Sequence, residues 1–90
     1  MNEKKLEFRG IKLEHLIEYF IELGGKQIST TFPFVFETNT WKAEIIKEEE
    51  VTITSTFIVN AVHVLFKADN ENELNKLIAN YRKKTTRIGG

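Results

Sequence analysis

The sequence predicts a two-layer α+β domain: a mostly antiparallel sheet of four or five strands with two helices on one face, in the order β-α-β-β-β(-β)-α. Three observations carry this prediction. Leu13, Leu16, Ile17, Phe20 and Ile21 recur at the i, i+3, i+4, i+7, i+8 spacing of a helix lying on a core. Leu74, Leu77, Ile78 and Tyr81 repeat the pattern near the other end of the chain. Between the two, residues 26–68 are rich in β-branched and aromatic side chains and follow the two-residue period of strands.

In chain order, Leu6-Glu7-Phe8-Arg9 alternates apolar and charged residues before Gly10 and reads as a short strand. The first helix follows, with Glu14, Glu18 and Glu22 on its wet face and all five apolar side chains of its stripe expected in the core. Leu23-Gly24-Gly25 ends it, with Gly24 in the left-handed conformation that glycine adopts without strain.

From residue 26 to 38, Ile28, Phe32, Phe34 and Phe36 share one parity, as on a strand with one buried face. Pro33 cannot donate to a ladder, so this strand is predicted at an edge, bulged, or split in two. Thr38-Asn39-Thr40 is a turn signal leading to a strand from Trp41 to about Lys47. Glu48-Glu49-Glu50 is expected on an exposed turn, since like charges repel when packed. It carries none of the aspartate-glycine pattern of a calcium loop. Residues 52–68 are too long for a typical strand of ~5 to 6 residues, so a break is placed within residues 56–60. The final strand then covers residues 61–68, with apolar residues on both faces as in a central strand. Asn70 is the predicted N-cap of the second helix, with Glu73 as its capping-box partner. That helix is expected to fray near Lys84, leaving 85–90 as a flexible tail.

Ninety residues with 41% hydrophobic and 29% charged content suit one domain, 1–90, with a single core and no room for a deep active site. Without cysteine there is no disulfide, thiolate nucleophile or sulfur-ligated metal. No apolar run approaches the ~20 residues of a membrane span, and no signal peptide is evident after Met1, so a cytoplasmic location is expected. A formal charge of zero argues against a duplex nucleic-acid binder, which would gather phosphate-neutralising cations.

The charge is nevertheless uneven. Residues 37–50 hold five glutamates against two lysines, and residues 70–90 hold Lys76, Arg82, Lys83, Lys84 and Arg87 against Glu71 and Glu73. His15 and His63 have no nucleophile or carboxylate tied to them by spacing and are expected to be structurally satisfied. Trp41 and the phenylalanines, at strand parity, are expected in the core. No catalytic residue, metal site or cofactor is predicted, and an enzymatic role is not expected.

The C-terminal stretch is where chemistry shows. Arg82, Lys83, Lys84 and Arg87 are the candidate contact for a protein partner or an anionic small molecule. Gly89 and Gly90 form the alternative site, because a terminal Gly-Gly enters a narrow partner pocket unobstructed and its carboxylate can be activated by adenylation, as in ubiquitin-like sulfur carriers. The predicted element order differs from the hairpin that opens a ubiquitin-like fold. Strand addition at the Leu6 strand or the Pro33 edge would allow a homodimer.

Leu6-Glu7-Phe8-Arg9-Gly10-Ile11, the Tyr19 to Gly25 segment, and Tyr81-Arg82-Lys83-Lys84-Thr85-Thr86-Arg87-Ile88-Gly89-Gly90 resemble a small domain of undetermined function. That domain is found in thermophile proteins and behind the ubiquitin-like domain of archaeal, MoaD-related relatives of the molybdopterin synthase small subunit. The resemblance implies a role near molybdenum-cofactor assembly and supplies no catalytic residues.

Overall fold

In the computed structural model, which describes residues 2–89 and the side chains of 2–86, the chain runs β1 (Asn2–Arg9), α1 (Leu13–Glu22), β2 (Lys26–Gln27), β3 (Phe34–Glu37), β4 (Trp41–Thr54), β5 (Phe57–Ala68) and α2 (Glu71–Gly89). The strands form one antiparallel sheet in the order β1-β5-β4-β3-β2. The α+β class and the element order are as predicted, with the optional fifth strand present.

One face of the sheet is the core face. Along β5, Val62, Val64, Phe66 and Ala68 are fully buried, and Ala43, Ile45 and Phe36 join them from β4 and β3. Leu16, Tyr19 and Phe20 of α1 and Leu74, Leu77, Ile78 and Tyr81 of α2 pack onto this surface. Phe20 and Tyr81 lie at its centre, stacked with ring centroids 4.0 Å apart, and the Tyr81 hydroxyl donates to the Leu16 carbonyl at 2.8 Å.

The core departs from the expected one in three places, the first being Phe57, expected inside but 56% exposed at the start of β5. Ile28 and Phe32 are 51% and 46% exposed, because the residue 26–38 stretch divides into β2 and β3 and both side chains fall in the loop of residues 28–33 between them. Phe34 is half-buried, so Phe36 alone of the four is fully enclosed. Ser29 holds that loop, accepting from the Val35 amide at 3.1 Å and donating to the Pro33 carbonyl at 2.7 Å. In α1, Ile21 is exposed and Tyr19 is buried in its place, because α2 packs against the Leu16–Tyr19–Phe20 side of the helix.

The largest correction concerns β4 and β5. Glu48-Glu49-Glu50 is not a turn but the middle of a fourteen-residue strand. Its repulsion is relieved by alternation: Glu48 accepts from the Asn60 amide at 2.9 Å, while Glu49 contacts His63 on the other face. The reversal comes at Ser55 and Thr56, so β5 begins at Phe57 and Asn60 sits inside it. Asn60 uses its side chain there to bond the Ile11 carbonyl at 2.6 Å, closing the chain where β1 gives way to α1.

At the C-terminal end, Asn70 caps α2 as predicted, its Oδ1 accepting from the Glu73 amide at 2.8 Å. The helix does not fray at Lys84. Thr85 continues the buried stripe one turn beyond Tyr81, and its hydroxyl donates to the Arg82 carbonyl at 2.9 Å. The tail expected over 85–90 falls largely on residues whose side chains lie outside the described ones.

Candidate partner-binding surface

The basic stretch sits on the last turns of α2, where cations are favoured by the partial negative charge of a helix C-terminus. The structure separates its members. Lys84 turns inward to α1, its Nζ 2.7 Å from Glu22 Oε1, and so ties the two helices together. Arg82 and Lys83 are exposed, and among the described residues neither has a carboxylate within ion-pair reach. The Arg87 side chain and Gly90 lie outside the described residues. Of the four predicted contact residues, two are therefore presented to solvent, one is structural, and one is not described.

The division follows from helical geometry. Tyr81 and Thr85 define the buried side of the last described turns, and Lys84, one position before Thr85, borders α1. Residues 82 and 83 follow Tyr81 around the outside of the helix.

Two of the five glutamates of the acidic stretch, Glu44 and Glu49, find basic partners within the sheet. On the face away from the helices, Glu44 pairs with Lys67 at 3.5 Å, Glu49 with His63 and with Lys47 at 3.8 Å, and Arg9 with Glu7. The His63 hydrogen bond, assisted by Lys47, holds the Glu49 carboxyl below the usual carboxylate value. That contribution is present above the unfolded value and is lost as pH falls through the lowered one. His63 thus has a partner that sequence spacing did not reveal: Glu49 reaches it because a bulge between Ile45 and Lys47 shifts the β4–β5 register by one residue. His15 lies beside the Tyr19 ring, centroids 6.4 Å apart.

Among the described residues, concavities flank both helices. The wider, about 570 Å³, opens between the start of α1 and the β4–β5 pair, where Leu13 and Ile17 face Glu48 and Asn60. A smaller one of about 240 Å³ lies between α2 and Trp41. Both are open rather than enclosed, and neither gathers a nucleophile with a base. The described side chains contain no group of three or more His, Asp or Glu placed to hold a metal ion. No described helix is long and apolar enough to cross a membrane.

No curated protein matches the chain. The family model described as archaeal MoaD-like protein matches residues 4–90, nearly the whole length, and the chain belongs to that family.

Proposed function

We propose that the chain is a non-enzymatic accessory domain of molybdenum-cofactor assembly that docks on an acidic protein surface through Arg82 and Lys83. The supporting observation is the split of the basic stretch: Lys84 is engaged by Glu22, while its two neighbours stand free on the outer side of α2. A basic patch left unneutralised in a protein of zero formal charge marks a surface that gains from an anionic partner. Family membership gives the context, since the family is described as archaeal MoaD-like and the sequence resembles a domain found with MoaD-related relatives of the molybdopterin synthase small subunit.

The test is cellular. Replacing the natural protein by an Arg82→Glu, Lys83→Glu double variant should lower molybdopterin content, measured as its fluorescent oxidised pterin, with the variant's own abundance unchanged. Unaltered pterin would count against the proposal.

A second reading is favoured by Gly89 and Gly90 lying within the span matched by the family. On that reading an adenylating enzyme activates the Gly90 carboxylate as its acyl-adenylate, and a sulfide-level sulfur donor displaces AMP to leave the thiocarboxylate. Intact-mass measurement on protein from its own cells separates the readings: the carrier gains ~16 Da at Gly90, and the accessory domain gains nothing.

A further inference from the structure

The β4–β5 hairpin outruns the rest of the sheet. β1 follows β5 only over Ala61 to Ala68, and β3 follows β4 only over Lys42 to Ile45. β4 has fourteen residues at ~3.3 Å each, and the molecule is 44 Å in its longest dimension. The far part of the hairpin is therefore a two-stranded arm. On the β3 side of that arm, from Lys47 to Thr54, no described strand completes the ladder.

Only the base of the open stretch is dressed as a solvent-facing edge. Natural edges are usually blunted by charges, prolines or brevity, and Lys47 to Glu50 are charged, yet residues 51–61 beyond them contain no charged residue and no proline. Ile53, Phe57 and Ile58, exposed by 48%, 56% and 56%, are half of the six large exposed apolar side chains among the described residues. Two of the others, Ile28 and Phe32, lie in the loop just before Phe34, the β3 residue paired with Ile45. They stand at the head of the space beside β4 that β3 leaves open.

We infer that this open edge is a dimer interface, filled by the same edge of a second copy. The two β4 strands pair antiparallel about a two-fold axis at Val51 and join two five-stranded sheets into one. The charges select this register. With the axis at Val51, Glu50 lies opposite Thr52 of the second copy, and Glu49 and Glu48 lie against the uncharged Ile53 and Thr54, where β4 is irregular between Thr52 and Thr54, so no acid meets an acid. Axes at Glu49 or Glu50 would set glutamates directly across from each other, a destabilising arrangement. An axis at Thr52 shortens the paired stretch. At Val51 the two Val51–Val59 cross-strand pairs become one apolar strip, and the turn of each arm advances towards Ile28 and Phe32 of the other copy.

About a dozen residues per copy take part, roughly half of the ~20 to 30 a side in a standard interface. The dimer is therefore concentration-dependent rather than obligate.

Sedimentation equilibrium from about 1 μM to about 1 mM, a range spanning weak association, tests it with substitutions that read the register. The wild-type chain should reach twice the monomer mass. Val51→Lys, which sets two ammonium groups across the axis, should weaken association by about tenfold or more. Ile53→Glu, facing Glu49, should do the same, whereas Ile53→Lys at the same position should not. Circular dichroism checks that each variant is folded. Amide exchange in the wild-type protein gives an independent measure: residues 47–54 should become more protected as concentration rises. A monomer at every concentration overturns the inference. So does a dimer indifferent to Val51→Lys and Ile53→Glu, or one equally sensitive to Glu and Lys at position 53.

Discussion

Gly25 shows how little slack this small core has. A Cβ built there would lie 2.6 Å from the tip of the Trp41 ring, 2.9 Å from the Phe20 carbonyl oxygen and 3.3 Å from Phe36 Cβ. Because the carbonyl is helix backbone and cannot move aside, Gly25→Ala should cost about 1 to 3 kcal/mol in urea denaturation, as overpacking does. Tyr81 gives a second, pH-dependent case. Its burial pushes the phenol well above its ordinary value of 10.0, with Tyr19 adding to the shift. The unfolded chain releases this proton near the ordinary value while the folded chain keeps it, so the contribution is complete below about pH 10 and declines as pH rises further. Tyr81→Phe should therefore lose about 1 kcal/mol at neutral pH, through the abandoned Leu16 carbonyl, and should flatten the fall of stability above about pH 10. Parallel denaturation series at pH 8 and above would measure both effects.

Local signals at the element scale were legible wherever the chain's own neighbours decide the outcome. Gly24 has the positive φ of 95° that the glycine stop implied. Asn70 caps α2, and Asn70→Ala should cost ~1 kcal/mol without altering the fold, seen as a lower denaturation midpoint at unchanged slope. What local pattern could not show was the length of β4. Three successive glutamates look like a turn until Asn60 and His63, brought across by a strand more than ten residues later in the chain, supply partners on opposite faces. Asn60 misled for a related reason. It is a turn-former by type, yet its side chain is used to hold the Ile11 carbonyl, 49 positions away in sequence. Ile28 and Phe32 shared the parity of a buried face, but the loop of residues 28–33 between β2 and β3 placed them outside it.

For the molecule as a whole, the class and element order followed from periodicity, whereas the strand order β1-β5-β4-β3-β2 rests on long-range pairing that no single segment encodes. The candidate site was legible as composition only. A basic run was plain in residues 82–87, but its division into a helix tie at Lys84 and an outward pair at Arg82 and Lys83 required the position of Glu22 on α1. That tie is modest, since exposed pairs contribute ~0.2 to 1 kcal/mol. Its consequence for function is larger, because it leaves the outward pair as the described cations of this run available to a partner. The most direct measurement is a calorimetric titration of the chain, and of its Arg82→Glu, Lys83→Glu variant, against the molybdopterin synthase subunits of the same cells. The predicted result is a wild-type complex that the double charge reversal weakens by at least about tenfold, as does added salt; equal binding by both chains, or binding by neither, would contradict it.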